Sequence, residues 1–168
     1  MRHIMLIMLL AVLCPLAAFA GKDEDDLYRY ELESYEGNVA ATTGSCIVKV
    51  WSYGKKEKVT RNVCMRNAVH GILFKGYGAA GDRSADKGRT ALVPEGEAAH
   101  ADYFDSFFDS GDYLQYVQLT NNGPLTAGDV IKISKREYKI GMVVVIDYDA
   151  LRTRLEKDGI IKSLDYLF

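Results

Sequence analysis

The chain has 168 residues, with 21 Lys and Arg against 23 Asp and Glu, a formal net charge of −2 and 48% hydrophobic residues. So small an acidic excess gives no electrostatic footprint for nucleic acid, which calls for a concentrated basic surface. The length fits one domain with a core of its own, and no apolar stretch reaches the roughly 20 residues of a membrane-spanning helix.

The chain opens on a short basic start, Met1-Arg2-His3, and an unbroken apolar run, Ile4–Leu13. Pro15 and the small-residue sequence Ala17-Ala18-Phe19-Ala20 follow. This is the pattern of a cleavable secretory signal over residues 1–20, with cleavage between Ala20 and Gly21. The protein is therefore expected to be exported, either periplasmic or associated with the cell envelope. A buried core helix fits badly, because Lys22-Asp23-Glu24-Asp25-Asp26 comes at once, and residues 21–27 read as an acidic flexible start. Cys14 raises the question of a lipid anchor, but Leu13 stands before it where a small residue is the rule, so no anchor is expected.

Residues 28–168 read as a single α+β domain. Tyr28, Tyr30 and Leu32 alternate with Arg29, Glu31 and Glu33, the period of a strand with one buried face. Residues 37–44 are small and polar and make a connection. Cys46–Trp51 is a second strand, rich in β-branched and aromatic residues, able to pair with the first as an antiparallel hairpin. A helix is predicted from about Glu57 to Phe74, with Cys64, Ala68 and Ile72 four apart on its apolar face. Gly71 lies in that stripe, where the missing side chain permits close approach to a sheet.

Residues 75–91 lose periodicity and read as the longest loop. A second helix runs from about Glu97 to Asp109, with Tyr103, Phe104, Phe107 and Phe108 on one side. Strands are predicted over Tyr113–Thr120, Asp129–Ser134 and Tyr138–Asp147, the last central because Val143–Ile146 lacks alternation. Asp147 or Asp149 caps a final helix carrying Leu151 and Leu155, and Gly159 ends it. The order β-β-α-α-β-β-β-α implies a mostly antiparallel sheet of about five strands, with two to three helices packed on one face.

Cys46 and Cys64 both lie beyond the signal, and an oxidising compartment invites a disulfide between them. Geometry opposes it. Cys46 opens its strand, about 20 Å from the strand's end at ~3.3 Å per residue, whereas Cys64 sits about 10 Å into the next helix. Bonded Cα atoms lie within about 7 Å. The favoured reading is two small buried apolar residues.

Gly76-Tyr77-Gly78-Ala79-Ala80-Gly81 matches G-x-G-x-x-G, but it follows a helix instead of a strand, outside any βαβ unit, and reads as a loop. Asp102, Asp105 and Asp109 share one helix face, opposite the aromatic side where a solvated face belongs. Their spacing is not that of a calcium loop, and no metal or cofactor site is expected. His70 and His100 sit in no nucleophile or zinc motif, so both read as structural and no catalytic residue is assigned. Two basic clusters, Lys55/Lys56/Lys58 and Lys132/Lys135/Arg136/Lys139, offer contacts to an anionic glycan or lipid headgroup. The favoured reading is the ordinary one of basic turns that discourage edge pairing. Eleven tyrosines offer stacking and anchor surfaces at an interface.

Two stretches together carry a family resemblance. One is Val48-Lys49-Val50-Trp51-Ser52-Tyr53-Gly54, leading into a helix that ends His70-Gly71-Ile72-Leu73-Phe74-Lys75-Gly76. The other is Tyr138–Val145, followed by Leu151-Arg152, Leu155-Glu156 and Gly159-Ile160-Ile161. They resemble a group of uncharacterised exported proteins of Gram-negative bacteria. More remotely, they are similar to the N-terminal domain of flagellar assembly protein T and related small envelope lipoproteins, whose lipid-accepting cysteine this chain lacks. The resemblance implies a fold and a compartment, and it transfers no functional residue. The expectation is a non-enzymatic envelope protein, an accessory or binding module docking on another exported component. The alternative is a ligand-binding or enzymatic domain whose site forms under the 75–93 loop with His100, Asp102 and Asp105. A deep polar pocket would favour the second, and a flat exposed aromatic patch the first.

Overall fold

The structure, a computed structural model, describes residues 28–35, 43–78 and 88–163. The signal segment with Cys14, Ala20 and Gly21, the acidic start, most of the 37–44 connection, the centre of the 75–91 loop and residues 164–168 lie outside the described residues.

Two long strands form the spine. β2 (Ser45–Gly54) and β7 (Tyr138–Asp147) pair antiparallel over their whole length, from Ser45↔Asp147 to Gly54↔Tyr138. β1 (Tyr30–Ser34) joins the other side of β2 as the expected antiparallel hairpin partner, with Tyr30 opposite Ser52. β7 is central. Its free edge is shared by two short strands, β5 (Val117–Leu119) against Val144–Ile146 and β6 (Val130–Lys132) against Tyr138–Ile140. Beyond β1 come β3 (Tyr77–Gly78), parallel to it, and β4 (Gly88–Arg89). The fold is α+β, with seven strands in a mixed, mostly antiparallel sheet instead of about five. The added pair, β3 and β4, is a two-residue ladder inside the stretch read as loop.

α1 (Arg61–Phe74) starts four residues later than the apolar period suggests, because the Thr60 side chain accepts from the Val63 amide and caps it there. Its last carbonyls are covered by the returning chain, Leu92 N–H donating to Ile72 and Val93 N–H to Leu73. A single 3₁₀ turn (Glu97–His100) leads into α2 (Ala101–Asp109). The expected strand from Tyr113 begins instead as a 3₁₀ turn over Asp112–Tyr116. α3 (Tyr148–Lys157) is capped by Asp147, whose carboxylate accepts from Ala150 N–H.

One face of the sheet meets the helices. Val48 and Val50 of β2 with Met142, Val144 and Ile146 of β7 form one cluster with Cys64, Ala68 and Ile72 of α1. Phe104, Phe107 and Phe108 of α2 and Leu151 and Leu155 of α3 complete it. α1 crosses close over β1 at Gly71, where a Cβ would collide with Leu32 and press on Tyr30. That crossing brings polar side chains of both elements together in the core.

Candidate functional site

Between β1 and α1 runs a buried polar seam. Tyr30 Oη lies 2.6 Å from His70 Nδ1, and His70 Nε2 lies 3.2 Å from a Glu97 carboxylate oxygen. With Nε2–H donating to Glu97, Nδ1 is left to accept from the tyrosine hydroxyl. The Tyr28 ring stacks on the imidazole at 3.8 Å between centroids, and the Arg66 guanidinium donates to the Tyr28 hydroxyl. Lys75 Nζ sits 4.0 Å over the Tyr30 ring. Further along α1, Asn67 donates to Ser52 Oγ, and Asn67 Oδ1 is buried without a partner among the described residues.

The arrangement has the outline of a tyrosine–histidine–carboxylate relay, but its electrostatics hold it still. Burial, then the nearby Lys75 and Arg66 cations, pull the His70 pKa down to about 3. The Glu97 carboxylate stands at ion-pair distance, yet desolvation and the two cations outweigh it, so the ring is neutral at pH 7. Burial pushes the Tyr30 hydroxyl well above its ordinary range, with Tyr28 and Glu97 adding to the shift. A general base works best with a pKa near the operating pH. A histidine this hard to protonate, beside a phenol this hard to ionise, makes fixed neutral hydrogen bonds.

Next to it, Leu32, Lys75, Gly76, Tyr77, Gly78, Gly88, Arg89 and Thr90 line an open depression of about 430 Å³. This lies where the ligand-binding alternative locates a site, but it does not gather that alternative's residues. His100, Asp102 and Asp105 are not in its wall; the two aspartates are exposed on α2, and His100 stands edge-on to Phe104, 6.4 Å between centroids. Asp109 is exposed as well and faces Arg66 at 3.7 Å. Among the described residues, no three His, Cys, Asp or Glu side chains converge to hold a metal ion. Gly76 precedes β3 and Gly78 ends it, both at the depression, while residues 79–81 lie outside the described residues.

Cys46 in β2 and Cys64 in α1 are buried and form no disulfide. Cys64 neighbours Ser52, six residues along the strand from Cys46, and its thiol is pushed up to about 11 by burial, against a hydrogen bond to Ser52.

Among the described residues, the opposite face of the sheet carries no α-helix, only the 3₁₀ turn Ala127–Asp129 against β7. The connection after β5 reaches back over β7, where buried Asp129 takes the Lys49 ammonium at 2.5 Å. Ile47 and Val143 on this face are buried, while Trp51 and Tyr53 are half-exposed. The Trp51 indole rests on Gly141, where any Cβ would press within 2.8 Å of the ring, and its Nε1–H donates to Glu33 at 2.9 Å. Lys49 and Lys139 ammonium groups approach the indole to 4.4 and 5.1 Å. Lys139 pairs with Glu31 at 2.7 Å, and Tyr53 donates to the same carboxylate. The hydrogen bonds from Lys139 and Tyr53 hold Glu31 below its ordinary pKa. The charges here are paired within the face, so the Trp51 and Tyr53 rings are held in one orientation on an electrically balanced surface. The tyrosine count suggested anchors, but which rings face outward depends on sheet pairing and could not be read from spacing.

Compared with known proteins, the chain matches no family model, no curated protein and no solved structure.

Proposed function

We propose that this is a non-enzymatic exported protein of the cell envelope, a binding module whose sheet face around Trp51 and Tyr53 docks on another exported protein. The observation that carries the reading is the surface around Trp51 and Tyr53. Tyrosine and tryptophan are the residues most enriched at protein interfaces, and a held ring loses little entropy on binding. Its charges are paired within the face, Lys49 with Asp129 and Lys139 with Glu31. Such a neutral mosaic complements a protein surface of mixed charge better than a polyanion. The neutral, fixed state of the Tyr30–His70–Glu97 seam speaks against the enzymatic alternative. The basic start, apolar run and Ala17–Ala20 sequence of residues 1–20 are what support an exported compartment.

The test is capture from the native envelope with the processed chain and two variants. Trp51→Ala with Tyr53→Ala should abolish recovery of one defined partner while Asp105→Lys, on the exposed side of α2, retains it. Equal recovery with both variants contradicts the reading.

A further inference from the structure

The two basic clusters, about 75 residues apart in sequence, meet in the fold. β2 ends at Gly54 opposite Tyr138, so the turn after β2 lies beside the β6–β7 hairpin, and Lys56 Nζ stands 5.9 Å from the Tyr138 ring. Lys55, Lys56, Lys58, Lys132, Lys135 and Arg136 are all exposed, with Glu57 the one exposed acid in those two segments. Neighbouring carboxylates do not neutralise them: Glu31 is paired with Lys139, Asp129 with Lys49, and Glu137 with Arg29 at 2.7 Å. A chain of net charge −2 thus concentrates positive charge at one end of its sheet.

The same hairpin exposes two large apolar side chains. Ile131 is 45% and Ile133 49% exposed, the two highest values among large hydrophobic residues described. Ile131 is paired with Lys139 and so shares its face, with Ile133 two residues on, while Lys132 pairs with Tyr138 and points the other way. The hairpin therefore alternates isoleucine and cation along its strand, and Lys135 and Arg136 close its tip.

We propose that this end of the sheet docks on an anionic phospholipid surface, the cations meeting headgroup phosphates while Ile131 and Ile133 enter the headgroup layer. Protection against edge pairing calls for the lysines, but it is not served by exposed isoleucines beside them. A nucleic acid or acidic polypeptide would use the charges and leave the isoleucines in water. An anionic bilayer uses both, since interfacial binding combines buried apolar area with attraction to anionic lipid. Ile131 lies on the same side of the sheet as Lys139 and Trp51, but the contact is made by the hairpin and the turn after β2 without Trp51 or Tyr53, so each surface is tested by its own variants.

The test is co-sedimentation of the processed chain with phosphatidylglycerol–phosphatidylcholine vesicles and with pure phosphatidylcholine vesicles. Binding is expected to the first only, and to fall as salt rises. With each basic residue worth about five-fold near such a surface, Lys132→Gln, Lys135→Gln and Arg136→Gln together should weaken it by about a hundred-fold. Ile131→Ser with Ile133→Ser should weaken it while its salt dependence remains, and inorganic phosphate should not compete. Circular dichroism checks that each variant keeps the wild-type fold. No binding to anionic vesicles, equal binding to neutral ones, or tighter binding to poly-glutamate that ignores the isoleucine changes would each overturn the proposal.

Discussion

Tyr30 and His70, forty residues apart in sequence, hold each other at 2.6 Å across the seam between sheet and helix. The imidazole accepts the phenol's proton in a hydrogen bond only while Nδ1 is unprotonated, so this contact depends on a neutral ring. His70 binds a proton near pH 3 when folded and near its ordinary 6.5 when unfolded. Between those values the unfolded chain carries more protons, so acid favours unfolding. Stability should be fully present above pH 6.5 and fall as pH drops toward 3. At about 1.4 kcal/mol per pH decade, the loss between pH 8 and pH 5 is about 2 kcal/mol. Urea unfolding across that range checks it, and His70→Gln should flatten the slope. Glu31, Asp129 and Asp158, whose pKa values are lowered by their partners, add their own loss only at lower pH.

At the α1–β1 crossing, Gly71→Ala pits a helix propensity gain of about 1 kcal/mol against overpacking on Leu32 and Tyr30, which costs about 1–3 kcal/mol. Buried side chains hold both neighbours in place, so net destabilisation is expected. Gly78→Ala, where a Cβ meets nothing within 4 Å, should leave the unfolding midpoint nearly unchanged.

The Asp147 cap is worth about 1 kcal/mol. Asp147→Ala should lower the unfolding free energy by that amount, measured in denaturant, while Asp147→Asn retains most of it.

Cys46 in β2 and Cys64 in α1 form no disulfide. Alkylation of the denatured, unreduced chain should therefore label both, as read by intact mass. In the native state labelling should be slow, because both are buried and burial pushes the Cys64 thiol up to about 11. Reductant should leave the melting temperature where it was.

Local pattern carried much of the fold and little of the seam. β7 runs from Tyr138 to Asp147 as its apolar run implies, and α3 starts at one of its two candidate caps. Those are effects of neighbours in sequence. The start of α1 moved to Arg61 because a threonine cap outweighs the charged residues before it. The stretch from Tyr113 coils into a 3₁₀ turn because Tyr113 packs into the core beside Phe108 before the chain reaches β7. β3 and β4 have two residues each, too short for any period to mark. His70 stood out beside an apolar stripe, but Tyr30 and Glu97 reach it across 40 and 27 residues. Only the antiparallel pairing of β1 with β2 and the turn of the chain after Val93 bring them there. The Trp51 face is the same case: its exposure follows from which side of β2 the helices cover.

The central claim is that the sheet face around Trp51 and Tyr53 meets the partner. The most direct measurement is site-specific photocrosslinking in the native envelope, with a photoreactive residue at position 53 or, separately, at position 105 on the solvent side of α2. The account predicts one discrete crosslinked protein from position 53, lost on Trp51→Ala, and none from position 105. Crosslinks from position 105 alone, or the same set from both positions, would contradict it.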